Sequence, residues 1–143
     1  MTVDVKGMEI PEGYTPSERE SFMNPLQKEY FRSKLLQWRD ELLQESLGTL
    51  QHLQEDSRYE SDPTDRASFE EEISTQLKAR GRERKLIIKI DEALQRLKDG
   101  SYGYCEETGE PIGIQRLEAR PIATLTVEAQ EKHEQHERIH RHD

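Results

Sequence analysis

Apolar residues are sparse along this chain, and where they recur they do so at helical intervals. From Leu26 the pattern runs through Tyr30, Phe31, Leu35, Trp38, Leu42, Leu43, Leu50 and Leu53, mostly three and four residues apart, with charges between. That period lays one apolar stripe along an α-helix. Asn24-Pro25-Leu26-Gln27 is a start signal: Asn24 caps, Pro25 suits the first helical position, and Gln27 sits three residues after the cap. Only Gly48 interrupts the run, so a helix is predicted from Pro25 to about Glu55.

Asp56 to Ser61 has only Tyr59 as an apolar residue and reads as a turn. Asp62-Pro63 repeats the start signal, and Ser68 with Glu71 forms a second capping box, which leaves the start open by several residues. The apolar positions of this second helix are Phe69, Ile73, Leu77, Leu86, Ile87, Ile90, Ala93, Leu94 and Leu97, and Gly100 ends it. Gly81 inside it costs about 1 kcal/mol relative to alanine. The basic run Lys78 to Lys85 interrupts the stripe. Two helices that each carry a stripe they cannot bury alone pack antiparallel. At roughly 30 residues each, the hairpin is about 45 Å long at about 1.5 Å per residue. The fold class expected is mainly α: a long antiparallel coiled-coil hairpin over 24–100, its tip near 56–68, projecting from a small globular domain.

The flanking segments lack that period. Residues 1–23 hold Gly7, Pro11, Gly13 and Pro16 among scattered charges and read as a leader, partly flexible, with Met8, Ile10, Tyr14 and Phe22 available to pin it. Residues 101–120 are rich in glycine and short apolar pairs and read as a knuckle of turns with one short hairpin. Pro121 to Lys132 begins a C-terminal helix, followed by a histidine-rich tail to Asp143.

Composition narrows the function classes. Hydrophobic residues make up 31% and charged residues 36% of the 143, which suits long solvated helices better than a large core. The net charge of −9 argues against general affinity for a nucleic-acid backbone. One cysteine allows no intrachain disulfide, and no signal peptide or long apolar run is present, so a cytoplasmic protein without a membrane span is expected.

Four groups of residues are candidates for chemistry. Asp62 and Asp65 stand three residues apart at the tip. They serve as cap and dipole partner, each worth about 1 kcal/mol or less, or as carboxylates that reach a metal ion or basic side chains in another protein's cavity. Tyr104-Cys105-Glu106-Glu107-Thr108-Gly109 has the shape of a zinc knuckle without its second cysteine; a structural zinc site needs four ligands, so no such site is expected. Cys105 then reads as a small buried hydrophobe or, with a lowered pKa that nothing nearby clearly supplies, as a redox thiol. His133, His136 and His140 have helical spacing, and with His142 form a solvated tail or a metal chelate. Arg82, Arg84, Lys85, Lys89, Arg116 and Arg120 are either a solvated charged face or an anion site. No nucleophile–base pair, phosphate-cradling loop or HExxH box occurs, so no enzyme is expected.

Taken together, Asp62-Pro-Thr-Asp-Arg-Ala-Ser with Glu70-Glu-Glu, Arg82-Glu-Arg-Lys-Leu-Ile-Ile-Lys-Ile, Gly103-Tyr-Cys-Glu and Ile112-Gly-Ile-Gln-Arg-Leu-Glu-Ala-Arg-Pro121 resemble the DksA/TraR family of bacterial RNA polymerase-binding regulators over about residues 22–131. The resemblance implies a monomer whose coiled-coil tip enters the polymerase secondary channel without sequence-specific DNA binding. It implies destabilised promoter open complexes, mostly with the alarmone ppGpp, in the stringent response: ribosomal RNA promoters repressed and some amino-acid promoters activated. It assigns tip function to Asp62, Asp65 and Ala67, and ppGpp binding to Leu86, Lys89, Arg120 and Gln130, the last where the family often has lysine. Of the four zinc-ligand positions only Cys105 keeps its cysteine; Thr108, Thr126 and Ala129 fill the others, which implies a zinc-finger-like knuckle that folds without zinc. Two readings from other classes stay open on the residues alone: a coiled-coil adapter or chaperone, and a transcript-cleavage-like factor whose tip aspartates hold magnesium.

Overall fold

The structure, a computed structural model, describes residues 9–56 and 63–141. It contains helices α1 (Pro25–Asp56), α2 (Pro63–Asp99), α3 (Ile114–Ala119) and α4 (Val127–Arg141). Among the described residues there is no strand, only one antiparallel bridge, Tyr104 to Pro111. The fold is mainly helical, as the periodicity predicts. The chain divides into two compact units: Leu35 and the residues before it with Glu92 and those after it, and Leu36–Asp91.

The helix ends follow the local chemistry. Asn24 Oδ1 accepts the Gln27 N–H at 2.8 Å, and the buried Gln27 Oε1 accepts the Met23 N–H at 2.8 Å. One orphan donor of the first turn and the N–H just before the cap are thereby satisfied. At the other end of the pair, Gly100 takes φ 85°, and the N–H groups of Ser101 and Tyr102 both reach the Arg96 carbonyl, at 3.0 and 3.2 Å. A left-handed residue that folds the chain back on the last turn favours glycine. The turn predicted at 56–61 and the cap Asp62 fall largely outside the described residues.

In the first unit Phe31, Leu35, Ala93, Leu97, Tyr102, Ile114 and Leu117 form the core. The Tyr102 hydroxyl donates to the Pro121 carbonyl at 2.8 Å, and burial pushes its phenol well above the ordinary value. Three features of this unit bear on those expectations, and the first, docking through Tyr14 and Phe22, follows the sequence reading. The leader is docked: Tyr14 meets Tyr30 edge-on at 6.0 Å, Phe22 meets Tyr104 at 5.4 Å, and Met23 is buried. Gly103, at φ 90°, makes room for it, since a Cβ there would stand 3.2 Å from Phe22 and Met23. The knuckle keeps its short antiparallel pairing, Tyr104 to Pro111, and adds a helix, α3, because Ile114 and Leu117 need one face to bury. The C-terminal helix starts at Val127, six residues later than predicted, because Pro121–Ala123 are buried as a turn; it then continues through the histidines to Arg141.

In the second unit α1 and α2 run antiparallel. Arg39 Nε donates to Asp91 Oδ1 at 2.7 Å and Arg80 Nε to Ser46 Oγ at 3.2 Å, which fixes the register. Ile73, Gln76, Arg80, Glu83, Ile87 and Ile90 alternate at three and four residues, and each is half-buried or buried. This is the seam, with the heptad spacing of a coiled coil. Leu77, expected in the stripe, is 52% exposed. Gln76, Arg80 and Glu83 occupy the seam in and just before the stretch where the basic run interrupts the apolar stripe.

Candidate functional site

The candidate residues are distributed over both units. At the start of α2, Ala67 is exposed, as are Arg66, Ser68 and the run Glu70–Glu72. Asp62 and the side chain of Asp65 lie outside the described residues. Further along α2, Leu86 is half-buried and Lys89 is exposed. They stand three residues apart, within one helical turn. In the first unit Arg120 is exposed at the end of α3, and Gln130 is half-buried on the first turns of α4. Gln130 Nε2 donates to Glu134 Oε1 at 3.4 Å. Arg116 is engaged in the fold: its Nε donates to the Leu125 carbonyl at 2.9 Å, so it braces the turn before α4.

The knuckle around Cys105 shows what replaces a metal. The four positions supply one sulfur, two hydroxyls and a methyl. Thr126 caps α4: its Oγ1 accepts the Ala129 N–H at 3.3 Å, while its carbonyl accepts the Gln130 N–H at 2.9 Å. The same hydroxyl lies 3.9 Å from Cys105 Sγ and donates toward it. Ala129 is buried, with its methyl in the core. A tetrahedral zinc centre needs four nitrogen, sulfur or carboxylate donors, so these residues do not fit one. Packing and a helix cap hold the loop instead. Cys105 N–H donates to the Glu110 carbonyl at 2.8 Å and Gly109 N–H to the Cys105 carbonyl at 2.9 Å, closing the turn.

The thiol itself differs from expectation. Burial raises the Cys105 pKa, but hydrogen bonds from the Thr108 side chain and from the backbone N–H groups of Thr126, Thr108 and Glu107 outweigh it and lower the value to about 6. Hydrogen bonds to the charged form favour that form. The lowered pKa therefore comes first from the Thr108 hydroxyl and then from main-chain amides brought to the sulfur.

Two polar contacts tie the unit together. Lys34 Nζ donates to the Glu118 carbonyl at 3.0 Å and to its carboxylate at 2.8 Å. Burial, and then the Glu118 carboxylate, push the Tyr30 phenol up to about 12. His133 meets the Glu107 carboxylate, which links α4 to the knuckle turn. Among the described residues no group of three His, Cys, Asp or Glu side chains is placed to hold a metal ion. No helix among them is long and apolar enough to cross a membrane.

Known proteins share this arrangement. The family described as "DnaK suppressor protein DksA, N-terminal domain" matches residues 27–97, and "Prokaryotic dksA/traR C4-type zinc finger" matches residues 100–135. The RNA polymerase-binding transcription factor DksA of Caulobacter vibrioides is 60% identical over 130 residues, covering 91% of this chain and 92% of that protein. Its namesake in Escherichia coli is 45% identical over 117 residues, covering 82% of this chain and 78% of that one. The structure of transcription factor DksA2 from Pseudomonas aeruginosa superposes with a TM-score of 0.77 at 48% identity, covering 82% of this chain and 91% of that chain. The class so defined is that of bacterial transcription factors built from two long helices and a small finger-derived unit. The chain belongs to the DksA family.

Proposed function

We propose that this chain is an RNA polymerase-binding transcription regulator that acts through the polymerase secondary channel. The observation that carries this reading is 60% identity over 91% of the chain to a protein named for polymerase binding. The hairpin end with Asp62, Asp65 and the exposed Ala67 is the working part, presented toward the polymerase active site without reading a DNA sequence. It destabilises promoter open complexes, so ribosomal RNA promoters are repressed and some amino-acid promoters activated.

ppGpp is the proposed co-effector. Lys89 and Arg120 are exposed cations suited to its phosphates, Leu86 offers an apolar contact, and Gln130 contributes an amide in place of a cation. An amide binds phosphate less strongly than a cation, so the response to ppGpp is weaker than a lysine would give. We further propose that the chain works without zinc, as a monomer in the cytoplasm, with the Thr126 cap and the buried Ala129 standing where a finger has thiolates.

The test is the lifetime of open complexes at a ribosomal RNA promoter with purified polymerase, for the parent and for Asp65→Asn, with and without ppGpp. The expected outcome is a lifetime shortened by the parent and not by the variant. Equal effects of parent and variant would remove the tip mechanism, and no effect of either would remove the polymerase reading.

A further inference from the structure

Beside the seam of the second unit, one flank of the hairpin is apolar, basic and uncovered. On α1 this flank carries Leu36, Leu43 and Leu50 at seven-residue spacing. On α2 it carries Leu77 and Arg84, seven residues apart, and Gly81 and Ile88, also seven apart. The Arg39–Asp91 and Ser46–Arg80 contacts join the two rows and show that they share a side. Four large hydrophobic side chains in this stretch are open to solvent: Leu36 at 39%, Leu47 at 61%, and Leu77 and Ile88 at 52% each. Large apolar side chains left open on one flank, with Leu77 at the edge of a groove, are where an interaction surface is sought.

Within the flank lies an open groove of about 540 Å³, with Leu43, Leu77 and Ile87 among its lining residues and Arg80 and Arg84 beside them. Among the described residues Arg84 has no hydrogen-bond or ion-pair partner, and Arg80 has only the Ser46 hydroxyl. The chain carries a net charge of −9, yet here two guanidinium groups stand over leucines without a carboxylate. Gly81 adds no side chain, and nothing stands within 4 Å of the place its Cβ would take, so a partner backbone can come close. Leu86 and Lys89, proposed for ppGpp, lie on the other side of the seam by helical geometry.

We propose that this flank is a separate contact with RNA polymerase and seats one α-helix of it, laid along the groove. Rows repeating every seventh residue on two neighbouring helices match the knobs of a third helix. The partner helix carries apolar residues at that spacing and a carboxylate that pairs with Arg80 and Arg84. The inference rests on the polymerase reading given above.

The test uses the full chain and purified polymerase. Equilibrium binding is measured for the parent, Leu77→Asp, Arg84→Glu and Lys78→Glu, the last an equal charge change at an exposed position on α2. Helix content is compared by circular dichroism. In parallel, a photoreactive residue replaces Leu77 and its crosslink is mapped. Loss of at least about tenfold in affinity is expected for Leu77→Asp and Arg84→Glu, and much less for Lys78→Glu. The crosslink is expected on a polymerase helix bearing Asp or Glu. If the parent binds and the two flank variants bind equally well, or Lys78→Glu loses as much as Arg84→Glu, the proposal falls alone. A crosslink to a second copy of the chain, or to no part of polymerase, also overturns it. If the parent does not bind polymerase, the polymerase reading falls and this inference with it.

Discussion

The two units use their apolar residues in opposite ways. In the first, Phe31, Leu35, Leu117 and the Gln27 side chain are under 2% exposed, and a docked leader seals the edge. In the second, Leu42 and Ile90 are the buried hydrophobics among the described residues, while Leu36, Leu47, Leu77 and Ile88 face solvent. At about 25 cal/mol per Å² of apolar area buried, stability concentrates in the first unit. The hairpin leaves these large apolar side chains open to solvent. The lesson is that a chain with 31% hydrophobic residues concentrates its folding free energy in one unit and leaves the other thinly held.

That contrast can be broken most directly from the base. Phe31→Ala should cost about 3–5 kcal/mol, enough to unfold much of the first unit. Leu47→Ala, at a 61% exposed position, should stay within about 0.5 kcal/mol. Chemical denaturation of the two variants checks both, and equal losses would contradict the division.

A smaller change should sharpen the picture from the arm. Gln76 Oε1 and Glu83 Oε2 are buried without a hydrogen-bond partner among the described residues. An unsatisfied buried polar atom costs about 1–3 kcal/mol. Gln76→Leu with Glu83→Leu should therefore stabilise the hairpin by roughly 1–2 kcal/mol. Amide exchange in α2 near residue 80 should slow, while that of α3 stays as it was.

A pH-dependent effect concerns Cys105. Its pKa falls from 9.0 to about 6 in the folded chain, so between those values the unfolded state binds more protons than the native one. Stability from the thiolate accordingly grows as pH rises from about 6 to 9 and is lost as pH falls through about 6. Ultraviolet thiolate absorbance should titrate near pH 6, and Cys105→Ser should flatten the corresponding rise in stability. A midpoint near 9 would show that the Thr108 hydroxyl and the loop amides do not act on the sulfur.

Much of this was legible in the sequence, for physical reasons that differ by residue. The starts at Pro25 and Pro63 and the stop at Gly100 are local backbone chemistry, and local chemistry survives folding. Leu77 misled because a three-four count tolerates either of two adjacent positions, and only the partner helix decides which one faces in. Phe22 is legible as a pin for the leader, but its seat on Gly103 is set only by the fold, and the acidity of Cys105 needs the Thr108 hydroxyl and main-chain amides aimed at the sulfur. Of the candidate site, the family resemblance named Ala67, Leu86, Lys89 and Arg120. Arg80, held only by Ser46, and the unpaired Arg84 beside leucines emerge only when the two helices are set in register.

The register also sets a rule for length and phase. From Leu36 to Asp56, α1 advances about 31 Å at about 1.5 Å per residue, so the arm is a ruler marked in helical turns. Removing seven residues from each helix would shorten it by about 10 Å and turn its end by only about 20°. Removing four would shorten it by about 6 Å but rotate the end by about 40°, taking the chemistry at the start of α2 out of line with the flanks below it. In such a molecule reach and aim are coupled, and length can change in whole heptads far more readily than in single turns.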